Sequence, residues 1–107
     1  MRRRLTKPEF DRLSAAARES LFPQFWVDLL ALVRATRRSP GEILTGRRPI
    51  RAPSEVQEAA QRVWEEECPY GLRTSRFAAD AMERCLRSIA RRAGLEGWEG
   101  VRFESLC

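Results

Sequence analysis

Three times in this chain a hydroxyl residue is followed, three positions on, by Glu or Gln: Thr6-Lys7-Pro8-Glu9, Ser39-Pro40-Gly41-Glu42 and Ser54-Glu55-Val56-Gln57. This is the reciprocal pattern that opens a helix. The hydroxyl accepts the third-position backbone N–H, and the carboxylate or amide reaches back to the cap's own N–H. Proline in the first turn of the first two sites lacks an N–H that would have no intrahelical partner there. Strand signals are nearly absent. The chain is therefore read as all-α, a compact bundle of about five helices in a single domain spanning residues 1–107.

The apolar spacing supplies the faces. Phe10, Leu13, Ala17 and Leu21 recur at helical intervals, predicting a first helix to about Glu19 or Ser20. Pro23 opens a second, whose wide arc of Phe25, Trp26, Leu29, Leu30, Leu32 and Val33 marks the central helix. The helix begun at Ser39 is short, because Gly46 suits a left-handed stop after Ile43, Leu44 and Thr45. From Ser54 a fourth carries Val56, Ala59, Ala60, Val63 and Trp64, and Pro69 cannot continue it. A fifth fits Thr74 to Arg92, with Ala78, Met82, Cys85 and Ile89 on one stripe, Phe77 and Leu86 beside it, and Gly94 past its end. The tail LEGWEGVRFESLC sets Trp98, Val101, Phe103 and Leu106 between glycines and is expected to pack as a short irregular or extended strap.

Composition excludes several classes. The start MRRRLTKPEF has no apolar run behind it and does not read as a secretory signal, and no apolar run reaches the roughly 18 residues a membrane helix needs. Cys68, Cys85 and Cys107 are an odd set without a C-x-x-C, which points to free thiols, a reducing and hence cytoplasmic compartment, and no zinc site. Histidine is missing, as are a glycine-rich phosphate loop and a nucleophile elbow. No enzyme, catalytic residue, cofactor, metal or membrane partner is expected. Trp26, Trp64 and Trp98 read as a core and its lid.

The charges are segregated. Residues 1–18 carry six basic and two acidic groups, residues 34–51 six and one, and residues 73–92 six and two; residues 52–69 reverse this with one and five. Of the 20 basic residues only Lys7 is lysine. Arginine is the planar, bidentate binder of phosphate and carboxylate, though an arginine preference without Asn or His also follows from a GC-rich genome. Codon bias does not explain where the charges sit. In TGRRPIRAPSE, Pro49 and Pro53 forbid a helix and stiffen the backbone that displays Arg47, Arg48 and Arg51, lowering the entropy cost of fixing them on a charged surface. Arg34, Arg37 and Arg38, from the end of the second helix, share a face with them if the short helix folds back. Arg73, Thr74, Arg76, Arg84 and Arg87 are the groups the last helix offers to a groove.

From Leu29 to Glu65 the order of elements resembles the C-terminal DNA-binding domain of the DnaA replication initiators. SPGEILTGRRPIRAPSEVQEAAQRVWEE follows that family's short helix, basic loop and long helix. The family's D-H-T-T-V type recognition motif has no counterpart in a chain without histidine. The resemblance thus implies only a basic-loop role, minor-groove or phosphate contact, for Arg47 and Arg48. Together the patterns point to a DNA-binding or nucleic-acid-associated regulatory protein that contacts duplex backbone through arginines. The alternative is a small protein-interaction module, a phage-type inhibitor or adaptor, docking through charged patches that include Glu65, Glu66, Glu67 and Tyr70.

Overall fold

The computed structural model describes residues 4–20, 22–40, 42–43, 53–65 and 76–106, with side chains from 81 onward in the last helix. Among them are four α-helices, two 3-10 turns and no strand: α1 (Lys7–Ala17), α2 (Pro23–Thr36), α3 (Ser54–Glu65), α4 (Arg76–Arg92), then Trp98–Gly100 and Phe103–Leu106.

The first expected cap forms in full. The Thr6 hydroxyl accepts from the Glu9 N–H at 3.3 Å, and Glu9 Oε1 accepts from the Thr6 N–H at 3.1 Å. α1 ends at Ala17, short of the expected Glu19 or Ser20, because the next three residues close as a turn onto the Ala15, Ala16 and Ala17 carbonyls. At α2 a left-handed Arg37 (φ 58°) turns the chain out of the helix. Such a φ is uncommon for a residue with a Cβ. The Thr36 hydroxyl, donating to Leu32 O and accepting from the Arg38 N–H, closes this end.

α2 is central, as its arc predicts. Phe25, Trp26, Leu29, Leu30, Leu32 and Val33 are all buried. Its most extensive packing is against α3, through Ala59, Ala60 and Val63, with Val56 and Trp64 at the edge of the core. α1 packs against both α2 and α4. Met82, Leu86, Ile89 and Ala90 form the buried side of α4, and Cys85 is half-buried beside them rather than inside the core. Gly94 (φ 73°) ends α4 with the Leu95 N–H on Ala90 O and the Gly94 N–H on Arg91 O, the Schellman pattern.

Where a short irregular or extended strap is expected, residues 98–106 fold as two tight turns. Val101, Phe103 and Leu106 are buried, and the Phe103 ring stacks on Trp26 at 6.1 Å between centroids and 5° between planes. The Leu5 N–H donates to Ser105 O at 2.8 Å, so the segment entering α1 meets the tail on the core. The Cα radius of gyration, 12.8 Å, is that of a compact chain of this length, about 13 Å.

Candidate nucleic-acid interface

The expected arginines divide by environment. Arg34 is half-buried in the α1–α2 seam, its guanidinium 4.7 Å from the Phe10 ring centroid and Nη1 in a long 3.5 Å contact with Leu5 O. It serves packing there. Arg37 beyond it is exposed and Arg38 half-buried. Arg47, Arg48, Arg51 and Arg73 lie outside the described residues, as do Glu66, Glu67 and Tyr70, and of Arg76 only the helical backbone is described.

The approach to the 47–51 loop is partly visible. The Ser39 hydroxyl accepts from the Glu42 N–H at 3.3 Å and donates to Glu42 Oε1 at 3.2 Å, and the Ile43 N–H closes onto Ser39 O. The helix expected at Ser39 therefore begins as its cap dictates. Its end at Gly46 lies outside the described residues. Ile43 is buried, and its carbonyl accepts the Trp64 indole N–H at 2.8 Å, which draws the chain after α2 back onto α3.

The clearest basic surface lies on α4. Its last nine residues, 84–92, hold Arg84, Arg87, Arg91 and Arg92 and no carboxylate. Arg84, Arg87 and Arg91, spaced by three and four, share one face and cover about 10 Å of helix. Arg84 and Arg91 are exposed and Arg87 is half-buried; the Arg91 guanidinium sits 5.4 Å from the Trp98 ring centroid. Trp98 is thus a half-buried rest for a cation, and Trp64 is a half-buried hydrogen-bond donor. Trp26 alone of the three is fully in the core, at 1% exposure. Arg91 belongs to this surface and Arg92 borders it, although spacing alone does not single them out; the signal available was the acid-free run at the helix end, where cations also suit the helix dipole.

Two carboxylates carry structure that sequence reasoning missed. Asp28, 3% exposed on the apolar arc of α2, accepts a bidentate pair from Arg62 of α3, Nε to Oδ2 and Nη2 to Oδ1, each 3.0 Å. Gln24 Nε2 donates to the same Oδ2 at 3.0 Å. The one basic residue of the acidic block is thereby taken up by the α2–α3 seam. Glu65, at the exposed end of α3, receives Gln61 Nε2 at 2.8 Å within its own helix.

Glu83 of α4 is half-buried under the tail. Burial pushes its carboxyl above the ordinary value of 4.5, against the lowering effects of the Phe103 backbone hydrogen bond, Arg102 and Arg87; Glu104 adds to the rise. Its Oε2 is buried with no hydrogen-bond partner among the described residues. A carboxyl whose pKa is raised on folding binds its proton more tightly in the folded state. Its contribution is fully present below about pH 4.5 and is lost as pH rises through the folded value. Glu83→Gln is therefore expected to be at least as stable as the parent at pH 7 and to flatten the pH dependence of stability above pH 4.5, read by urea denaturation across pH. A variant with an unchanged pH profile would show that Glu83 titrates alike folded and unfolded.

Among the described residues no group of three or more His, Cys, Asp or Glu is placed to hold a metal ion, and no helix is long and apolar enough to cross a membrane. Set against known proteins, the chain matches no protein-family model, no curated protein and no solved structure.

Proposed function

We propose that this protein is a small, non-enzymatic, cytoplasmic nucleic-acid-associated module that grips duplex backbone through arginines. The observation that carries the reading is the acid-free end of α4, where Arg84 and Arg91 are exposed on one face with Arg87 between them. Arginine forks bind phosphate oxygens bidentately, and each phosphate neutralised releases condensed counterions, so a row of arginines favours duplex without reading its sequence. The exposed Arg37, with Arg38, and the stiffened loop bearing Arg47, Arg48 and Arg51 add further contacts in this reading, as do Arg73 and Arg76 at the start of the last helix. The loop takes the part of the basic loop in the DnaA-like outline, following a short third helix that brings the helix count to about five. Arg34 is left out, since unlike the exposed Arg91 it is half-buried, with its guanidinium over Phe10 and against Leu5 O.

Two variants test this. Arg84→Ala with Arg91→Ala, and separately Arg47→Ala with Arg48→Ala, are each expected to weaken binding to a random-sequence duplex by on the order of tenfold or more at about 50 mM salt. Far-UV circular dichroism should be unchanged, because Arg84 and Arg91 are exposed. Parental affinity in both variants would refute it.

One observation favours the alternative of a module docking on another protein through Glu65, Glu66, Glu67 and Tyr70. The Glu65 carboxylate is exposed and engages Gln61 of its own helix. Carboxylates at a helix C-terminus oppose the dipole by about 0.3–1 kcal/mol each. A basic partner surface would relieve that. Affinity capture with nuclease treatment separates the two: loss of bound material favours duplex, and a stoichiometric nuclease-resistant protein favours docking.

A further inference from the structure

A cavity of about 250 Å³ opens where the turn between α1 and α2 meets α4. Its apolar walls are Trp26 (1% exposed), Ile89 (5%) and Phe22, which at 36% is the exposed large apolar side chain among the described residues. α4 contributes a stripe at intervals of three, four and seven: Cys85, then Ser88 with Ile89, then Arg92. That stripe differs from the Arg84–Arg87–Arg91 face, so the cavity lies beside the proposed duplex surface and its occupancy does not depend on that reading.

The polar groups of the lining are Ser20, Ser88 and Arg92. Ser88 and Arg92 are exposed at the rim, while Ser20 is half-buried and already spends its hydroxyl proton on Ala17 O at 2.6 Å. Arg92 makes no ion pair with a carboxylate among the described residues. An open hollow that offers the exposed Phe22 ring, the barely exposed edges of Trp26 and Ile89, and an exposed guanidinium and hydroxyl suits a flat apolar body ending in a single negative charge. The volume agrees: an apolar cavity of about 150 Å³ accepts benzene, so one of this size accepts one or two fused rings.

We propose that the cavity is a binding site for a small aromatic monocarboxylate, its rings against Phe22 and the barely exposed edges of Trp26 and Ile89, and its carboxylate on Arg92 and Ser88. Phe22, the exposed apolar member of the lining, would form the open wall of this site. Half-buried Cys85 lines the same cavity, so the bound acid shields its thiol.

Isothermal titration with sodium 2-naphthoate, compared with the neutral naphthalene-2-carboxamide, tests the assignment on the whole chain. Saturable one-to-one binding of naphthoate is expected, weakened about tenfold both by the neutral analogue and by Arg92→Gln, since the charge-assisted contact is lost in each. Ser88→Trp, placed at an exposed position, should fill the mouth and abolish binding while circular dichroism shows the fold intact. In a Cys68→Ser, Cys107→Ser variant, naphthoate should slow iodoacetamide alkylation of Cys85 several-fold, a readout that needs no substitution in the cavity. No saturable binding at millimolar naphthoate, equal affinity for acid and amide, or unprotected Cys85 at saturation would each overturn the proposal.

Discussion

Trp26→Ala is expected to destabilise the protein by about 3–5 kcal/mol, the usual loss when a fully buried aromatic is truncated in a core that cannot collapse around the void. The side chain is 1% exposed, stacks on Phe103 of the tail and meets Phe25 edge-on at 5.9 Å between centroids. A domain of this size holds about 5–15 kcal/mol in total, so the variant keeps little of its margin and its melting temperature falls by some 15 °C or more. The tail depends on Trp26, because the Phe103 ring rests on it and Ser105 holds Leu5. Trp26→Phe keeps part of the stack and should cost clearly less. Urea denaturation of the two variants measures the difference; equal, small losses would show that the tail is not anchored on this ring.

Arg62→Ala should cost about 2–3 kcal/mol, well beyond the 0–1 kcal/mol of an ordinary surface ion pair. The reason is asymmetry of exposure: the Arg62 side chain is 46% exposed, but its partner Asp28 is 4% exposed. Removing the arginine leaves a buried carboxylate with Gln24 as its remaining donor among the described residues, and a buried charge without its counter-ion carries its desolvation cost uncompensated. Removing the charge instead, by Asp28→Asn, leaves Arg62 free to turn toward water and should cost less. The double variant should therefore be less destabilised than the sum of the singles, by 1 kcal/mol or more in a thermodynamic cycle. Additive effects would mean that the pair contributes nothing to the α2–α3 seam beyond its separate packing.

Local chemistry made the helices readable. The caps at Thr6 and Ser39, the stop at Gly94 and the central position of α2 all follow from hydrogen bonds or apolar arcs closed within a few residues of chain. What was not readable spans long separations. Asp28 looks like a polar interruption of an apolar face, and nothing near it announces a partner 34 residues away. Glu83 appears as one acid among arginines until the tail, 20 residues on, folds over it. The tail's compact turns were missed because its glycines permit both extended and turned backbone, and the choice is made by Phe103 finding Trp26. Arg34 reads in sequence as part of a basic cluster, and its contact with the Phe10 ring one helix away is not visible there. The basic loop at 47–51 and Arg73 lie outside the described residues, and of Arg76 only the helical backbone is described.

Fluorescence anisotropy of a labelled random-sequence duplex, titrated with the parent protein from about 50 to 200 mM salt, tests the proposed grip on phosphate most directly. The expected result is binding in the micromolar range at the lower salt, with log K falling against log salt by about 0.9 for every phosphate contacted, a slope near −4 if four arginines engage. Replacing Arg84 and Arg91 together should make that slope shallower by about 2. Absence of binding at about 50 mM salt, or an affinity indifferent to salt, would contradict a backbone-gripping role and leave the acidic end of α3 as the surface to pursue.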